Sequence, residues 1–130
     1  MNGVINVETA KKLKSLEQKS LFYWYKGSMS GHSWQIIDIR IYLANQNLIK
    51  QEIGAEVCSA FTIEEMNKFI PKEFSFSGPD WHDGEVTNWS SGELFLDEDE
   101  SRQVRILIDG ETETESKGNL LAYLIEKEMI

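Results

Sequence analysis

"TIEEMNKFIPKEFSFS" (residues 62–77) changes its hydrophobic period halfway along, and that change decides the fold class. In the first ten residues Thr62 and Glu65 stand three apart. That is the spacing of a capping box, in which the hydroxyl accepts from the amide of Glu65 and the carboxylate reaches back to the N–H of the cap. Ile63, Met66, Phe69 and Ile70 then fall on one helical face, and Pro71 predicts the end of the helix, because proline disfavours helical backbone in the residue before it. From residue 72 onward the apolar positions alternate. "FSFS", "EVTNW", "ELFLD" and "QVRILID" are period-two runs separated by turn residues, the pattern of an antiparallel meander. "SSG", between Trp89 and Glu93, reads as a hairpin, and "DEDES" (97–101) as a wider charged connection. In the last run Val104, Ile106 and Ile108 are expected to face inward, with Gln103 and Arg105 outward.

On the N-terminal side, "NVETAKKLKSLEQKS" (6–20) predicts a helix over about 7–18, with Asn6 as cap and Val7, Ala10, Leu13 and Leu16 at helical spacing. "LFYWYK" (21–26) has the aromatic content of a strand, and either Phe22 and Trp24 or the opposite Tyr pair would pack inward. "WQIIDIRIYL" (34–43) is the strongest alternating run, with Ile37, Ile39, Ile41 and Leu43 on one face and Asp38 and Arg40 on the other. Residues 45–55 fit a helix or a strand edge equally, and "AEVCSAF" (55–61) reads as a short buried strand. At the other end, "TETESKGNLLAYLIEKEMI" (112–130) predicts a helix with Leu120, Leu121, Leu124, Ile125 and Met129 as its stripe. Glu113 and Glu115 stand near its start, where the helix dipole favours negative charge. The order helix, strands, helix, meander, helix implies an α+β fold, a single domain over residues 1–130 with an antiparallel sheet and about three helices packed on it.

The 130 residues are enough for one core, and an apolar fraction of 41% with two prolines excludes a disordered chain. Cys58 is the only cysteine, so no internal disulfide can form, and "MNGVINVETAKKLK" has no basic segment followed by an apolar run. The expectation is a cytoplasmic protein. No stretch approaches the ~20 apolar residues that a membrane span requires. The net charge of -9 is unevenly placed: residues 1–75 hold nine Lys/Arg against eight Asp/Glu, and residues 76–130 hold four against fourteen. An acidic second half repels phosphate backbones, so direct nucleic-acid binding is not expected, whereas a basic protein partner would be attracted.

Three segments share a resemblance. "VETAKKLKSLEQKSLFYWY" (7–25), "FTIEEMNKFIP" (61–71) and "ESKGNLLAYLIEKEMI" (115–130) together resemble a group of small uncharacterised proteins of phages, prophages and mobile elements. The resemblance implies an accessory protein of unknown activity and carries no catalytic residue. Residues 27–55 and 93–115 depart from the pattern.

"SGPDWHDGE" (77–85) gathers Asp80, His82, Asp83 and Glu85 beside Trp81. A transition-metal site wants three or four converging ligands, and besides carboxylates the chain offers His32, His82 and Cys58. Gly78, Pro79, Asp80, Asp83 and Gly84 are each favoured in turns for backbone reasons, so a turn is the preferred reading. A His32/His82/Asp83 metal or hydrolytic site is the alternative, should the two loops meet. The acidic runs lack the central glycine and terminal bidentate Glu spacing of an EF-hand. No nucleophile elbow, P-loop or dinucleotide fingerprint occurs, so no catalytic residue is assigned and no cofactor is expected. The function expected is a protein-interaction module. Glu93, Asp97, Glu98, Asp99, Glu100, Glu111, Glu113 and Glu115 would dock a basic host or phage protein and gain association rate from their field.

Overall fold

A computed structural model describes residues 3–16, 19–96 and 102–130. The fold is α+β: antiparallel strands carry packed helices, among them the three expected from the sequence. Contacts divide the chain into two compact units, residues 1–62 and 63–130, each with its own three-stranded antiparallel sheet.

In the first unit α1 (Val7–Lys12) begins as expected, with Asn6 Oδ1 accepting from the amide of Thr9 at 2.9 Å. A 3-10 turn over Lys14–Leu16 continues it. β1 (Phe22–Lys26) is the central strand, paired with β2 (Gln35–Asp38) on one side and β3 (Glu56–Ser59) on the other. Tyr23 and Tyr25 take the buried face of β1 while Phe22 and Trp24 stay half-buried, which resolves the sequence alternative in favour of the Tyr pair. The Trp24 indole N–H donates to the Ile5 carbonyl at 2.8 Å, and the Ile5 amide donates to the Phe61 carbonyl at 3.1 Å. The N-terminal segment is thereby tied to the end of β3, over a core that includes Ile5, Leu13, Tyr25 and Phe61.

One expectation is overturned here. The alternating run over 34–43 does not continue as a strand beyond Asp38; residues Ile39–Ala44 form α2, and Gln46–Gln51 form α3. Asp38 is the cause. Its backbone is still extended, but its Oδ1 accepts from the amide of Ile41 at 3.0 Å, which starts a helix where the apolar alternation continues. Ile41 and Leu43, which a buried strand face would have covered, are about half exposed.

The second unit begins with α4 (Ile63–Asn67), followed by a 3-10 turn over Lys72–Phe74 that Pro71 introduces. β4 (Phe76–His82), β5 (Glu85–Leu96) and β6 (Arg102–Gly110) form the meander in sequence order, and α5 (Glu113–Glu126) packs on β5 and β6. Leu120, Leu121 and Leu124 are fully buried on the inner face of α5, each contributing roughly 1.5–3 kcal/mol by burial. Ile106 and Ile108 are more covered than the exposed Leu107 between them, as the alternation predicts.

The hairpin expected at "SSG" is absent, because β5 runs unbroken through Ser90, Ser91 and Gly92. These residues are small for a packing reason. Ser91 Oγ lies 2.6 Å from Ser116 Oγ of α5 in a buried pair, and a Cβ on Gly92 would collide with the carbonyl of Ile106. Lys117, also on the buried side of α5, donates from Nζ to the Ser75 carbonyl at 3.0 Å. Burial holds its amine below the usual lysine range, with Glu113 partly opposing.

Candidate functional site

The boundary between the units sharpens the charge asymmetry. Residues 1–62 carry seven Lys/Arg against five Asp/Glu, a net +2; residues 63–130 carry six against seventeen, a net -11. The acidic character therefore belongs to the meander and its helices.

Within that unit the β4–β5 ladder extends further than the β5–β6 ladder. Trp89 pairs with both Pro79 and Gly110, the last residue of β6, and beyond it β4 and β5 continue alone to the pair His82–Glu85. Residues 80–88 thus form a two-stranded extension, closed by Asp83 and Gly84 with φ of 51° and 80°. Positive φ at both central residues is what an Asp-Gly hairpin turn supplies. The turn expected within "SGPDWHDGE" is confined to this pair, while Ser77–His82 is strand.

Every residue from Trp81 to Asn88 is exposed. A register shift between Asp80 and Trp81 sets Trp81 opposite Val86, so the two side chains share a face of the ribbon. Trp81 is 66% exposed and Val86 43%. Asp83 and Glu85 lie at the tip beside them. At the root of the extension, Ser90 Oγ stands 2.7 Å from Asp80 Oδ2 and 2.8 Å from Asp109 Oδ1, so β4, β5 and β6 meet at two carboxylates and one buried hydroxyl.

The expected docking residues fall into three groups. Glu111, Glu113 and Glu115 follow the end of β6 within a few residues, at the end of the sheet that carries the extension. There the Thr112 hydroxyl caps α5 by accepting from the amide of Glu115 at 3.1 Å, and Glu113 accepts from the Ser77 hydroxyl at 3.1 Å. Glu93 is half-buried and sits further along β5, opposite Ile106. Asp97, Glu98, Asp99 and Glu100 lie outside the described residues. The exposed Trp81–Val86 pair was missed by sequence reasoning. The signal was the Asp-Gly dipeptide itself, which sets Trp81 and Val86 on the two arms of one hairpin.

For the metal alternative, His82 Nε2 is 3.4 Å from Asp83 Oδ2 at the exposed tip. His32 belongs to the first unit, in the exposed turn after Gly31, where its amide donates to the Gly27 carbonyl at 2.8 Å. Among the described residues, no group of three or more His, Cys, Asp or Glu is placed to hold a metal ion. Cys58 is a buried thiol on β3; burial pushes its pKa up, with the charges of Lys14 and Lys11 opposing. Among the described residues no helix is long and apolar enough to cross a membrane.

Set against known families, characterised proteins and solved structures, the chain matches none.

Proposed function

We propose that the protein is a non-enzymatic interaction module whose acidic second unit docks a basic protein partner, in keeping with the phage or mobile-element accessory role that the resemblance implies. The observation that carries this reading is the β4–β5 extension, where an exposed tryptophan and valine stand side by side among carboxylates on a unit of net charge -11. A large aromatic side chain that shields no core of its own is the usual anchor of a protein interface, and surrounding like charges steer an oppositely charged surface toward it. Glu111, Glu113 and Glu115 extend the field at the same end of the sheet, and Asp97, Glu98, Asp99 and Glu100 add to it along the sequence.

The test is capture of a partner from a lysate of the source cells by the native protein, by Trp81→Ala, and by a variant with Asp97, Glu98, Asp99 and Glu100 neutralised. One basic protein retained by the native form is expected. Its affinity should fall about 30-fold or more for Trp81→Ala, through faster dissociation. The neutralised variant should lose association rate and salt dependence. Identical capture by all three forms would rule the reading out.

A further inference from the structure

The first unit holds a cleft that the interaction reading does not use. It has a volume of about 350 Å³, within the range of small-molecule sites, and opens between the end of α1, the centre of β1, α2 and β3. The Asp38-capped helix creates it: Ile39, Tyr42 and Leu43 stand at i, i+3 and i+4 and so point one helical stripe at the sheet. Tyr42 lies flat on Tyr23 of β1, with ring centroids 4.2 Å apart and planes 19° from parallel. Cys58 forms part of the wall, and Leu43, 53% exposed, stands at the lip.

Among the described residues, the charged groups of the lining are all of one sign. Lys14 and Lys19 border the cleft, and no Asp or Glu is among the described residues that line it. The charges of Lys14 and Lys11 act on the Cys58 thiol in the wall, with Glu56 of β3 opposing them more weakly. Apolar and aromatic walls with two ammonium groups at the margin complement one class of ligand: a flat, largely apolar body bearing an anionic group. The geometry points to this cleft as a binding site for a small aromatic organic anion, the apolar body resting against Tyr42 and Leu43 and the anionic group between Lys14 and Lys19. The site is independent of the acidic unit, so failure of the docking reading leaves it standing, and the reverse.

The probe is 1-anilinonaphthalene-8-sulfonate, an aromatic sulfonate whose fluorescence rises on leaving water, compared with N-phenyl-1-naphthylamine, which lacks the sulfonate. The native protein is expected to bind one sulfonate dye per chain, and the bound dye should slow alkylation of Cys58 by iodoacetamide. Lys14→Gln with Lys19→Gln should weaken the dye about tenfold, as expected for two partly exposed ion pairs. The charge-matched control, Lys12→Gln with Lys50→Gln, removes two exposed lysines that do not line the cleft and should change the affinity less than about twofold. Leu43→Glu alters an exposed side chain, leaves the core untouched and should also weaken the dye. Equal affinity in the two lysine pairs, equal binding of the neutral amine, or alkylation of Cys58 unaffected by the dye would overturn the proposal.

Discussion

Asp109→Asn is expected to stabilise the protein. Ser90 Oγ is within hydrogen-bond distance of Asp80 Oδ2, at 2.7 Å, and of Asp109 Oδ1, at 2.8 Å. A hydroxyl carries one hydrogen, so it can donate to only one of the two carboxylates, and the other faces a lone pair. Two like charges on either side of one oxygen atom are roughly 5 Å apart. Their repulsion is about 1 kcal/mol in water and about 3 kcal/mol at an effective dielectric constant of 20. Asp109 is exposed, which places the value near the lower figure. Asparagine removes the repulsion, and its amide N–H can donate to Ser90 Oγ while the hydroxyl donates to Asp80. The new hydrogen bond adds up to about 1 kcal/mol. Together these predict a gain of about 1–2 kcal/mol, a rise in Tm of roughly 3–8 °C for a chain of this length. Differential scanning calorimetry at low and high salt is the assay, and the gain should shrink as salt screens the native repulsion. Ser90→Ala should do the opposite, costing roughly 1–3 kcal/mol, because the carboxylates then face each other without a donor. An Asp109→Asn protein whose Tm at low salt is unchanged or lower would refute this account.

Two further outcomes follow from the first unit. Glu52 accepts from the Ser28 amide at 2.7 Å and the Tyr25 hydroxyl at 3.1 Å, and the Ser28 bond holds its pKa below the ordinary value of 4.5. A carboxylate with a depressed folded-state pKa contributes stability that is present above pH 4.5 and lost as pH falls through the lower folded value. Urea titrations of Glu52→Gln should therefore show a shallower loss of stability below pH 4.5 than the native protein, and parallel curves would contradict the assignment. Asp38→Ala removes the cap of α2; amide exchange at residues 40–44 should quicken while the β1–β2 amides, and that of Ile39 bonded to the Leu21 carbonyl, keep their protection. Loss of protection across both elements would mean that Asp38 holds the strand rather than the helix start.

The cleanest successes of sequence reading were elements in which local chemistry and hydrophobic period agree. Asn6 caps α1, "LFYWYK" forms a strand with alternate residues buried, and Leu120, Leu121 and Leu124 form the buried stripe of α5. Where two local signals competed, the pattern misled. Ile37, Ile39, Ile41 and Leu43 alternate as well as any strand, yet the bond from the Ile41 amide to Asp38 turns the second half into a helix. "SSG" has turn composition, but Ser91 and Gly92 are small because α5 packs against β5 and Ile106 crowds the backbone.

The candidate sites follow the same division. Charge is carried along the chain, so the acidic second half, with Glu111, Glu113 and Glu115 close together in it, was legible by counting residues. Exposure is a property of the packed structure. That Trp81 is left uncovered depends on β6 ending at Gly110 while β4 and β5 continue, a difference in ladder length that no local signal encodes. The cleft is likewise a product of packing, since Tyr23 and Tyr42 stack only when the helix after Asp38 folds over β1. By itself the sequence determined the α+β class, the principal helices, the existence of the aromatic first strand and the sign of the field, because these depend on neighbours along the chain. The tertiary structure alone decided which apolar side chains remain in water and which side chains wall a cleft, because both require surfaces that are distant in sequence to meet.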